Sequence, residues 1–192
     1  MPNVLAFLSY VALTNFTPGP MNIMSMSQAS HHGFRDSSRF RLGGAVGNFA
    51  VTALALAFTV ELYGLVPTIM PVMRVLGAVY ILWLAWKTAT SRPHEAASGA
   101  QNTFRSAALL QFLNVKLILV ELTIAAMFIV PHYHSVSVLA GFSAGLAVVC
   151  LAASTCWALF GALLQHYITE HHRMVNCAMG GLLVYCALSL FL

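Results

Sequence analysis

Ala12-Leu13-Thr14-Asn15-Phe16-Thr17-Pro18-Gly19-Pro20-Met21-Asn22 is the stretch on which the fold turns. It lies inside an apolar run of about 3–29, and roughly 20 apolar residues suffice to cross a bilayer as a helix. Each proline removes a backbone donor and clashes with the turn before it, so a continuous helix does not pass through Pro18-Gly19-Pro20. The carbonyls of Thr14 and Phe16 lose their usual partners there. Within lipid such carbonyls are tolerated only where protein, water or ligand satisfies them. A second half-helix can begin near Met21, turning unpaired N–H groups and a positive dipole end toward an anion. Asn15, Pro18, Asn22 and Ser25 fall at i, i+3, i+7 and i+10, one helical face. That face is expected to look into a bundle, although helix–helix hydrogen bonding alone would give the same stripe.

Outward from this run, the 192 residues are 59% hydrophobic and only 7% charged, against about 25% charged in a soluble domain. Apolar periodicity gives six segments at about 3–29, 42–63, 68–90, 105–130, 135–165 and 174–192. The fold class is therefore an all-α integral membrane protein of about six transmembrane helices in a single domain, residues 1–192. Pro67 and Pro71 are expected to bracket the turn between the second and third spans, and Pro131 to close the fourth. Met1-Pro2-Asn3 lacks the basic segment of a signal peptide, so the first span is expected to stay in the mature chain. The polar stretch at about 92–104 is the one linker-like segment. Although the net charge is +4, the basic residues form no patch with interleaved aromatics, which argues against a nucleic-acid partner.

Loop charges set an expected orientation. Arg35, Arg39 and Arg41 occupy the first loop, Lys87, Arg92 and Arg105 flank the third, and Arg173 lies in the fifth. The second and fourth loops carry no Lys or Arg. By the positive-inside rule the odd loops, including the linker, face the cytoplasm and both termini face the periplasm.

The two halves resemble each other. Ala12 through Pro20 aligns with Ala108-Leu109-Leu110-Gln111-Phe112-Leu113-Asn114-Val115-Lys116 at an offset of 96 residues (Pro18 to Asn114). Gly43-x-x-x-Gly47 and Gly141-x-x-x-Gly145 follow at an offset of 98, and Gly77 with Tyr80 matches Gly181 with Tyr185. Two three-helix units, about 1–92 and about 104–192, must then have opposite orientations. That is the inverted-repeat plan, with a substrate site at the repeat interface near the midplane.

The fourth span carries the costliest residues. Lys116 and Glu121 sit well inside it, where a charge costs roughly 2.5–3.5 kcal/mol on insertion scales and is functional by default. Gln111, Asn114 and Glu121 share one face of a regular helix, while Lys116 points the other way. Either the helix is distorted at Asn114-Val115-Lys116 or Lys116 serves another surface, and an ion pair with Glu121 is the structural alternative. Cys150, Cys156, Cys177 and Cys186 lie inside apolar segments and read as small core residues. Neither they nor the histidines, His31, His32, His94, His132, His134, His166, His171 and His172, have metal-site spacing. No phosphate-binding loop and no nucleophile–base arrangement is present, so no cofactor and no enzymatic activity is expected.

Helix one with Pro18-Gly19-Pro20, the glycine-rich helix two from Gly43 to Asn48, Gly77-Ala78-Val79-Tyr80 and Asn114-Val115-Lys116 together resemble the lysine-exporter superfamily of bacterial inner-membrane amino-acid efflux transporters. Most of that family has Asn-Pro-Lys where this chain has Asn-Val-Lys. The valine form, within Gln111 to Lys116, is similar to the cysteine and O-acetylserine exporter branch. The resemblance implies a multi-pass exporter of a small amino acid, alternating between two faces of the membrane and coupled to protons, with a homo-oligomer left open. On that expectation Met21, Asn22 and Lys116 hold the substrate carboxylate. The carbonyls of Thr14 and Phe16, with Asn15 and Asn114, receive its ammonium group. Pro18, Gly19, Pro20 and Gln111 shape the site, and Glu121 carries the proton. Three rival classes make distinct demands: a thiol–disulfide electron carrier needs cysteines at the breaks, a metal-cation exporter needs histidines, and a membrane scaffold needs neither.

Overall fold

A computed structural model describes residues 4–62, 66–90, 103–164, 167 and 170–189, and all regular structure among them is helical. The first apolar run forms α1 (Val4–Phe16) and α2 (Pro20–His32), divided where the prolines stand. Then come α3 (Ser38–Leu62) and α4 (Val66–Thr90). The fourth run is also divided, into α5 (Phe104–Leu113) and α6 (Val115–Ile124), and α6 runs on into a π-helical turn at Ala125–Ile129. The chain finishes with α7 (Val136–Leu163) and α8 (His172–Ser189). Among the described residues two helices are long and apolar enough to span a bilayer alone, Ser38–Glu61 and Val136–Leu163, and the pair Phe104–Leu113 and Val115–Ile129, bent by 66°, is a third when counted as one span.

α3 and α7 cross at the centre, α5 lies along α3, α2 lies along α7, and α4 pairs with α8 to one side. Three apolar cores follow from this. Ile81 and Ala85 of α4 meet Met179, Leu183 and Ala187 of α8, joined by Ile23. Val11, Leu56, Ile124, Ala125, Ile129 and Leu146 bind α1 to α3, α6 and α7. Met21, Phe40 and Ala107 join α2, α3 and α5. α1 keeps a single buried residue, Val11, where α2 has eight. Many large apolar side chains stay exposed, Leu5, Val79, Trp86 and Leu163 among them, as expected of a surface whose solvent is hydrocarbon.

Two expectations are corrected. Pro67 and Pro71 do not bracket a turn, because α4 already begins at Val66 and Pro71 lies inside it. A proline near a helix start loses only an N–H that would be unpaired anyway, and an interior one is tolerated in a membrane helix where neighbours re-satisfy the backbone. The cysteines are not uniformly core: Cys150 is buried, but Cys156 and Cys177 are exposed. An apolar pattern cannot separate core from lipid face when both are apolar. The side chain of Cys186 and residues 91–102 of the linker lie outside the described part. Pro131 does follow the last turn of the fourth run.

Candidate functional site

At the first break Gly19 is extended (φ −169°, ψ 170°) and Pro20 opens α2 at its first position, where its fixed φ suits a helix start. The backbone groups released there are taken up by side chains. Asn22 Nδ2 donates to the carbonyls of Asn15 (2.7 Å) and Thr17 (3.0 Å). Thr17 Oγ1 donates to the Thr14 carbonyl (3.0 Å), and Trp157 Nε1 of α7 donates to the Phe16 carbonyl (3.1 Å). The carbonyls expected to be free at Thr14 and Phe16 are thus each engaged by the protein.

The second break needs no proline. Asn114 leaves the helical region (φ −82°, ψ 86°), and its Oδ1 accepts from the Leu117 N–H at 3.3 Å, capping α6. Asparagine is among the best residues for that role, since its carbonyl satisfies an orphan donor of the new helix. Its Nδ2 donates to Gln111 Oε1 (3.2 Å). Gln111 Nε2 in turn donates to the Gly44 carbonyl of α3 (3.1 Å) and lies 3.4 Å from Cys150 Sγ of α7. The second break is therefore tied into both central helices.

Lys116 joins the two breaks. Its Nζ donates to Thr17 Oγ1 (3.0 Å) and to the Pro18 carbonyl (2.9 Å). The distorted-helix reading holds: bent at Asn114, α6 carries Lys116 to the first break. Glu121 lies elsewhere, wholly buried against α3, where Oε1 accepts from Asn48 Nδ2 (3.2 Å) and Oε2 has no partner among the described residues.

A small cavity of about 40 Å³ opens between the breaks, room for about three water molecules. Thr14, Asn15, Gly19, Met21 and Asn22 line it from the first break, and Gln111, Asn114 and Lys116 from the second. Phe16, Pro18, Pro20 and Glu121 are not in its lining. Four residues that sequence reasoning missed complete it: Leu117 and Val120 of α6, and Cys150 and Ala153 of α7. The only signal for the last two was the i, i+3 spacing of small residues, which recurs throughout this chain. Among the described residues no three His, Cys, Asp or Glu side chains gather as a metal group. His132 and His134 are exposed in the turn before α7, and His31 and His32 are exposed at the end of α2.

Comparison with known proteins gives the family of the chain. Residues 12–192 match the family described as LysE type translocator. The cysteine/O-acetylserine efflux proteins of Escherichia coli (strain K12) and Shigella flexneri are each 38% identical to the chain over 187 residues, which cover 97% of this chain and 96% of the relative. No solved structure gives a significant match.

Proposed function

The chain belongs to the LysE type translocator family, a bacterial inner-membrane efflux transporter and not an enzyme, and from that premise we propose that it exports cysteine or O-acetylserine. The names of its relatives motivate that choice of substrate. The observation that carries the reading is Lys116: it crosses from one broken helix to the other, at the wall of a small cavity lined by both breaks.

The substrate carboxylate docks at the start of α2, near Met21 and Asn22, and takes over part of the Lys116 ammonium from the Thr17 hydroxyl. A helix N-terminus with a proline at its first position favours that charge. Asn15, Asn114 and the second lone pair of the Thr14 carbonyl receive the ammonium end. Cys150, Ala153, Leu117 and Val120 bound the substrate side chain, and the narrow space between them suits a short one. The two halves act as inverted repeats that cross the membrane six times, with both termini periplasmic, and expose the cavity to one side at a time.

Glu121 is the coupling group in this reading, a buried carboxylate with one oxygen held by Asn48 and the other unpartnered among the described residues. Glu121→Gln is expected to leave substrate binding and remove the dependence of efflux on the proton gradient. Proton-dependent efflux that survives the substitution would end the coupling role. The reading as a whole is tested by efflux of labelled cysteine, O-acetylserine, lysine and threonine from cells expressing wild type or Lys116→Ala at matched membrane levels. Selective efflux of the first two that collapses in the variant is the expected result. Absence of efflux of all four from correctly inserted wild type would refute it.

A further inference from the structure

The two Gly-x-x-x-Gly faces are in opposite states. A Cβ placed on Gly43 would collide with the backbone of Phe104. One on Gly47 would lie 2.7 Å from the Ala108 carbonyl oxygen and 2.9 Å from its Cα. The α5 backbone is thus seated directly on α3, an approach that requires residues without a side chain. A Cβ on Gly141 or Gly145 would meet nothing within 4 Å, and both glycines are exposed on α7.

The internal alignment shows what is missing there. Ala108 corresponds to Ala12 and Gly47 to Gly145, so the counterpart of the Gly47–Ala108 contact is Gly145–Ala12. The residue types are identical, but the contact is not made. α1 rests instead on the neighbouring face of α7, with the rings of Phe7 and Phe142 edge to face at 6.0 Å. Its own Leu8 and Ala12, one turn apart on one face, are exposed. At the other end of α7 the helices are tightly seated: a Cβ on Gly161 would collide with the backbone of Met26, which seats α2 on α7.

We infer that α1 is a gate: in the alternate state its Leu8–Ala12 face seats on Gly141-x-x-x-Gly145, as α5 now seats on Gly43-x-x-x-Gly47. In the arrangement described here α5 is seated on α3 and α2 on α7, whereas α1 is not seated on Gly141-x-x-x-Gly145. Seating of α1 accompanies release of α5 from α3. This gate rests on the exporter and repeat reading above, and it adds which helix moves and onto what.

Two experiments test it. Gly145→Leu directs its side chain into open space in this state, so the variant is expected to reach wild-type membrane levels and heat stability while efflux falls at least tenfold, on the order of 1.4 kcal/mol. Gly181→Leu, at another open-faced glycine on α8, is expected to transport normally. In a chain with Cys156, Cys177 and Cys186 replaced by Ala, Ala12→Cys with Gly145→Cys is then oxidised. A disulfide holds its Cβ atoms about 3.8 Å apart on average, and a Cβ on Gly145 has nothing within 4 Å here, so crosslinking reports the seated state. Crosslinking that halts efflux, reversed by reductant, is the expected outcome. Normal efflux in Gly145→Leu, or no crosslink while efflux proceeds, overturns the gate. Crosslinking in a protein that exports none of the four amino acids would instead keep the gate and refute the cargo.

Discussion

The two broken spans reach similar geometry by different means. At residues 18–20 the break is covalent: two prolines lack the donors a helix needs, and the loosened carbonyls are gathered by Asn22, Thr17 and Trp157. At residue 114 every backbone donor is present, and the helix bends because one asparagine offers the next helix a better start. Its persistence depends on the chain of contacts from Asn114 through Gln111 to Gly44 and Cys150. The first break would form wherever this sequence crossed a membrane; the second needs α3 and α7 beside it. Gly19 sharpens the contrast. Its backbone is extended, a conformation open to any residue, yet an added Cβ would lie 3.2 Å from Lys116 Nζ and 3.3 Å from its Cδ. The glycine is there to let the second break reach the first.

Lys116→Ala should have the largest effect, because it removes both hydrogen bonds by which the second break holds Thr17 and Pro18. Hydrogen bonds of a charged group are worth about 1.5–3 kcal/mol, so efflux at limiting substrate is expected to fall roughly 100-fold. Lys116→Arg should not restore it, since a planar fork does not replace a compact ammonium over Gly19. Efflux within threefold of wild type in either variant would separate the two breaks functionally. Asn114→Ala comes next. It removes a helix cap worth about 1–2 kcal/mol and should cost about tenfold in efflux, with a fall of several degrees in the melting temperature of purified protein. Asn114→Ser, which still caps, should recover most of the stability.

Gly19→Ala is expected to be milder. Lys116 must shift by a few tenths of an ångström, a rotamer strain of about 0.5–1.5 kcal/mol, and efflux should drop a few-fold without loss of protein. The smallest effect belongs to Val115→Pro, which turns the second break into a proline break. Position 115 opens α6, where proline fits, so transport should stay within about twofold and stability should rise by about 0.4–1 kcal/mol. A severe loss there would show that the Val115 N–H has work that the first break does without.

The same contrast explains what could be read from sequence. Pro18-Gly19-Pro20 announces itself through local chemistry, and the six helical runs lie within a few residues of their expected places. The bend at Asn114 was legible only through its alignment with Pro18. Its mechanism depends on contacts of Gln111 with Gly44 and Cys150 on other helices, and the turn of Lys116 toward Thr17 and Pro18 instead of Glu121 on contacts about 100 positions away. Cys150 and Ala153 were missed because a small residue facing a cavity on an otherwise apolar helix leaves no periodic trace. Cys156 and Cys177 were misplaced for the related reason that lipid and protein core select the same side chains.

The π-helical turn at Ala125–Ile129 acts as a register clock for the end of the fourth span. Each residue of an α-helix advances the next by about 100°, so the turn sets the heading at which Phe128 meets Phe7 and Tyr10, both at 5.8 Å between ring centroids. Removing one residue between 125 and 129 would leave composition and hydropathy almost unchanged. It would nonetheless swing this aromatic contact away from α1, so at this point the chain counts residues where elsewhere it only weighs them.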